Sequence, residues 1–158
     1  MTQENQTRSI AMETWCKLAR EHAAPPVTIC LEGDSMRPLI RRGRDPVTVI
    51  PLNRQLCKGD VVLVRIGRQY VVHRLWKMQQ GAVRTFGDNC WNPDPWIPEG
   101  QVLGLVAHYQ RSGRVHRLDT PQARAFGRMW MAIHPLRLCY KRLRALAGRC
   151  YRKIFPRK

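Results

Sequence analysis

The chain has 158 residues, 44 % of them hydrophobic, which suits one globular domain with appendages and excludes a disordered chain. Its 28 Lys and Arg against 11 Asp and Glu give a formal charge of +17, which implies an anionic partner such as nucleic acid or an anionic membrane surface. The polar start Met1 to Asn5 is followed by no apolar h-region, and no stretch approaches the roughly 20 apolar residues of a spanning helix, so neither a cleavable signal peptide nor a transmembrane anchor is expected.

In chain order, residues 9–22 carry Ile10, Met12, Trp15, Leu18 and Ala19 at helical intervals, and Pro25-Pro26 ends that helix. From Val27 to about His108 the texture is short strands and turns. Val27 to Leu31 and Val47 to Ile50 are β-rich, and Lys58-Gly59-Asp60 is a turn before the apolar run Val61 to Val64. The continuity of that run predicts a strand buried on both faces. Tyr70 to Leu75 is the second arm of a hairpin turned at Gly67, and Val83 to Phe86 and Val102 to Val106 complete the set. Fold class is therefore mainly β, with no repeat. A polar stretch, Arg111 to Thr120, leads to two basic helical segments, Pro121 to His134 and Pro135 to Phe155, separated at Pro135. Leu136, Tyr140, Leu143, Ala147, Tyr151 and Ile154 line one face of the second. No acidic residue follows Asp119, so much of the charge sits in this tail. The domain reading is a helical segment 1–25, a β domain 26–118 and a basic amphipathic tail 119–158.

Six cysteines (16, 30, 57, 90, 139 and 150) are scattered without a C-x-x-C pair, and no His stands at metal-ligand spacing. Reduced thiols are expected, with no metal and no cofactor.

One constellation carries chemistry. Ser35 lies in Gly33-Asp34-Ser35-Met36-Arg37-Pro38, His73 in the hairpin arm, and Asp88 in Gly87-Asp88-Asn89, with Asp94 six residues beyond. Each alone reads as ordinary structure: a turn serine, a strand histidine, an Asp-Asn turn and an Asn-Pro-Asp-Pro turn. Together they hold the residue types that a serine peptidase site needs. A serine hydroxyl needs a neighbouring base to take its proton. A histidine with an ordinary pKa of about 6.5 can accept that proton and return it to the leaving amine. A carboxylate on the second ring nitrogen orients the imidazole, and Asp88 and Asp94 both qualify. The backbone N–H of Ser35 is the first candidate for an oxyanion donor.

The order of these features resembles the LexA/signal peptidase superfamily over about residues 27–108. Its members share a Gly-x-Ser-Met segment, a Gly-Asp turn before a strand, and a base in a strand followed by Arg and an apolar residue. In bacterial signal peptidases and LexA-type repressors that base is lysine. Here Val72-His73-Arg74-Leu75 puts histidine in its place, which looks like the archaeal and endoplasmic-reticulum branch, as does Gly87-Asp88-Asn89 with Asp94. The resemblance implies a coiled antiparallel β-sheet or partly open barrel. It also implies an endopeptidase that acts on leader or precursor peptides beside small residues, with Ser35, His73, Asp88 and Asp94 in the site.

Two alternatives belong to other classes: a degenerate member that binds peptide or membrane without turnover, and a self-cleaving regulator lacking a DNA-binding module. Two uses of the tail, residues 121–158, stay open: it meets an anionic membrane surface, or it packs on the domain or a partner with its charges solvated. No helix-turn-helix or RNA-binding motif supports nucleic acid. A cytoplasmic protein is the expectation, peripheral on the membrane if the tail takes the first of its two uses.

Overall fold

Val61 to Val64 are all buried because alternate side chains enter two different cores. Val61 and Leu63 join one apolar cluster, while Val62 and Val64 join a second on the opposite face of the sheet. The computed structural model describes residues 12–19, 24–137, 139–140 and 143–144. Helix α1 spans 12–19, inside the helix expected over 9–22, whose ends lie outside the described residues.

Eight strands follow: β1 (Val27–Ile29), β2 (Val47–Ile50), β3 (Val61–Ile66), β4 (Gln69–Gln79), β5 (Ala82–Phe86), β6 (Trp96–Pro98), β7 (Val102–Arg111) and β8 (Arg114–Arg117). They form one antiparallel sheet in the order β1-β2-β7-β3-β4-β5-β6, with β8 paired to the far end of β7. The sheet is mainly antiparallel β as expected, and it does not close. The first core packs Trp15, Cys16 and Ala19 of α1 against Val47, Val49, Leu63 and Val106. The second is built from Leu56, Leu75, Val83, Ile97 and Leu105. Each such side chain, fully buried, stabilises the fold by roughly 1.5–3 kcal/mol.

The stretch Arg111 to Thr120, expected as a polar link, is instead a hairpin. Ser112 (φ 50°) and Gly113 (φ 75°) form its two-residue turn, the left-handed geometry that suits the twist of paired strands. All four residues of β8 are exposed, so Arg-Val-His-Arg carries no apolar alternation to betray it.

Helix α2 (Pro121–Ala132) starts where the sequence places it, with Thr120 Oγ1 accepting from the Ala123 amide and Pro121 in the first turn. After a turn at Ile133 the chain is helical again over 134–137. Leu136, Tyr140 and Leu143 are exposed, whereas Ala147, Tyr151 and Ile154 lie outside the described residues. No helix among the described residues is long and apolar enough to cross a membrane.

Helix α2 touches the sheet through glycines. A Cβ on Gly127 would meet the Arg74 guanidinium and stand 2.9 Å from the Gly59 carbonyl. Gly59 (φ 98°) has no room either, since a Cβ there would be 2.5 Å from the Arg124 carbonyl oxygen. Both positions require glycine for close approach.

Candidate active site

The Gly-Asp turn before β3 fixes the strand that carries the histidine. Asp60, with no exposed side-chain surface, accepts from Arg54 at 2.7 and 2.9 Å and from the Cys57 amide at 2.8 Å. Its carbonyl accepts from the Leu75 amide at 2.7 Å, and the Gly59 amide donates to the Leu75 carbonyl at 2.9 Å. Leu75 is two residues from His73, so the turn and the β3–β4 ladder together set where His73 stands.

His73 is 7 % exposed, and its Nδ1 lies 2.6 Å from Asp94 Oδ2. An ionised carboxylate only accepts, so Nδ1 carries the proton and Nε2 faces the other way. Asp94 is itself held to β5: its amide donates to the Thr85 carbonyl at 3.0 Å, its carbonyl accepts from Arg84 Nε at 2.6 Å, and Thr85 Oγ1 donates to its Oδ2 at 2.6 Å. Burial works against a charged His73, but hydrogen bonds with Asp94 and then Cys90 outweigh it and raise the pKa to about 9.

Asp88 takes a different place. It is 1 % exposed and forms a bidentate pair with Arg74, at 2.8 Å from Nε and 2.7 Å from Nη2. Arg74, also 1 % exposed, donates from Nη1 to the Gly59 carbonyl at 2.9 Å. The Asp88 carbonyl accepts from Arg137 Nη2 beyond α2. Of the two carboxylates that the sequence left open, Asp94 is the one on the histidine, and Asp88 anchors its loop to the strand beside it.

Ser35 is half-buried at the start of a turn in which the Ile40 amide donates to the Met36 carbonyl at 2.9 Å. The Asn89 amide donates to the Ser35 carbonyl at 2.6 Å, and Asn89 Nδ2 reaches the Asp34 carbonyl at 3.2 Å. The loop 87–90 thus ties the Ser35 segment to His73. At Gly87 they converge: a Cβ there would be 3.0 Å from His73 Nε2, 3.0 Å from the Ser35 carbonyl and 2.5 Å from Cys90 Sγ. Among the described residues no hydrogen bond links the Ser35 hydroxyl to His73.

A groove of about 280 Å³ opens at Ser35, with Met12, Ile29, Leu31, Leu63 and Tyr70 on its walls. Strand β4 pairs with β3 along Gln69–Arg74 but with β5 only from Arg74 onward. Val71 and Val72 line the groove, and their backbone has a ladder partner on one side only.

Sequence reasoning missed Thr85 and Cys90. Neither belongs to a motif, and only the β4–β5 register, Leu75 opposite Thr85, brings the threonine to Asp94. Arg74 was visible only as the residue after the base. A family model described as Peptidase S24-like matches residues 2–106. No curated protein matches the chain.

Proposed function

The chain belongs to the Peptidase S24-like family, and on that premise we propose that it is a serine endopeptidase with signal-peptidase-like chemistry. Ser35 is its nucleophile, His73 its base and Asp94 the group that orients the base. The observation that carries this reading is the convergence of the Ser35 segment and His73 Nε2 on Gly87, with Asp94 behind the imidazole and a groove open at Ser35.

In the reaction, neutral His73 accepts the Ser35 proton at Nε2 as Oγ attacks the scissile carbonyl. Nδ1–H donates to Asp94, which stabilises the imidazolium, and the proton then passes to the leaving amine. Asp88 does not touch the imidazole; it fixes the loop through Arg74. The substrate is an extended leader or precursor peptide. Its backbone adds to the unpaired edge at Val71 and Val72, and a small apolar side chain enters the groove.

Cleavage of a leader-peptide library by the purified chain, with Ser35→Ala and His73→Ala as controls, tests the proposal. Equal background cleavage by all three would reject it. The Ser35 hydroxyl without a bond to His73 favours a second reading, a member that binds peptide without turnover, and the same controls separate the two.

The tail meets an anionic membrane surface in this proposal. Phe126, Met129, Leu136, Tyr140 and Leu143 are exposed, and the sequence around them is basic at 128, 137, 141, 142 and 144. Co-sedimentation with vesicles containing phosphatidylserine should weaken in Phe126→Ser/Met129→Ser. Equal binding by the variant and the wild type would remove this role.

A further inference from the structure

Cys90 follows Asn89 in the loop that holds the Ser35 carbonyl, and its sulfur is placed against the catalytic imidazole rather than toward solvent alone. The position a Gly87 Cβ would take is 2.5 Å from Cys90 Sγ and 3.0 Å from His73 Nε2, so sulfur and nitrogen flank one point. Asp94 Oδ2 sits 2.6 Å from the other ring nitrogen. Asp94, His73 and Cys90 therefore stand in series as acid, imidazole and thiol. In that arrangement the imidazole can take the thiol proton as the sulfur attacks. The hydrogen bond that Cys90 contributes to the raised pKa of His73 agrees with this pairing. The Ser35 hydroxyl, by contrast, has no bond to His73 among the described residues.

We propose that Cys90 is a thiol modification site activated by His73, and that its exchange with a small-molecule disulfide closes the Ser35 site. In the exchange His73 takes the Cys90 proton as the sulfur attacks one sulfur of the disulfide; a new S–S bond forms and the old one breaks. The leaving thiolate takes the proton that His73 holds, so no further oxidant is needed. The adduct stands at Nε2, the atom that must receive the Ser35 proton. The modification site rests on the Cys90–His73 geometry; only its effect on cleavage rests on the peptidase reading.

Oxidised glutathione is the probe, applied to the reduced full chain and followed by acid quench and mass-spectrometric mapping of each cysteine. Cys30 and Cys139 are more exposed than Cys90, and Cys16 is buried, so the chain carries its own references. Cys90 should react at least about tenfold faster than Cys30 and Cys139 near neutral pH, and His73→Gln should remove that advantage while Cys30 is unchanged. A Cys90 rate at or below that of Cys30, or one unchanged in His73→Gln, overturns the proposal. Fast reaction of Cys16 in His73→Gln would report unfolding, and Asp94→Asn is then read in its place against the same criterion.

Cleavage by the modified wild type should be lost and should return on reduction, while the level shown by Cys90→Ser should not respond to the disulfide. Cleavage that persists in fully modified protein overturns the second half of the proposal. Rapid Cys90 exchange with no cleavage in any sample rejects the peptidase reading and keeps the thiol site. Cleavage with an inert Cys90 does the reverse.

Discussion

Replacing Asp88 and Asp94 by asparagine, one at a time, separates a carboxylate that holds the loop from one that serves the base. Asp88 and Arg74 are both 1 % exposed and bonded twice to each other. Neutralising one partner leaves the other as an uncompensated buried charge, at a cost of about 3–5 kcal/mol. For a protein of this size each kcal/mol lowers the midpoint by about 2–4 °C, so Asp88→Asn should melt roughly 6–20 °C lower. Asp94 is 17 % exposed, and its side chain accepts from His73 and from Thr85. An asparagine can donate to Nδ1, which favours the tautomer with the proton on Nε2 and removes the base. Cleavage should fall by about 10³–10⁴-fold, and above about pH 9, where His73 is neutral and its pair with Asp94 no longer adds stability, melting should change much less than in Asp88→Asn. The assay is kcat/KM on one leader peptide beside calorimetric melting of each variant. If Asp88→Asn melts like wild type but does not cleave, while Asp94→Asn cleaves normally, the two roles have been assigned to the wrong residues.

The pH dependence should be alkaline, because the base is effective only when neutral: kcat/KM should climb through an apparent pKa of about 9. Cys90→Ala removes one of the hydrogen bonds that raise it, so the limb should move to lower pH; an unshifted limb would show that the thiol does not act on the base. Stability runs the other way. A pKa raised from 6.5 to about 9 contributes about 3 kcal/mol that is fully present below the unfolded value and lost as pH rises through the folded one. Urea unfolding of wild type against His73→Gln between about pH 6 and 10 should show that loss, and parallel curves would refute it. Gly127→Ala gains about 1 kcal/mol in helix propensity, yet its Cβ would press on the Arg74 guanidinium and the Gly59 carbonyl, so a net loss of about 1–3 kcal/mol is expected by thermal melting.

What the sequence made legible depended on pattern strength. Val47–Ile50 and the doubly buried run from Val61 announced themselves through apolar density, and Thr120-Pro121 announced a helix start. β6 and β8 did not: Trp96–Pro98 is a three-residue strand in a proline-rich stretch, and Arg114–Arg117 is wholly exposed. Both are strands because a neighbour offers a ladder, which no local preference encodes. The candidate site was legible as an ordered set, Ser35, His73, Asp88 and Asp94. The division of labour between the carboxylates was not, because it depends on which side chain crosses the β4–β5 pair. The thiol beside Gly87 was equally hidden, since only folding brings Cys90 back over that glycine.

The contact between the tail and the loop also has a thermodynamic mirror image. Arg137 donates to the Asp88 carbonyl from beyond the matched family region, with its guanidinium 3.7 Å from the centre of the Trp130 ring. If docking of this segment orders the loop for peptide, linkage requires peptide on the loop to order the segment by the same free energy. Amide hydrogens of α2 would then exchange more slowly in the presence of a bound substrate analogue that never touches the helix. The basic tail would thus serve as a gauge of site occupancy, readable some distance from the reacting atoms.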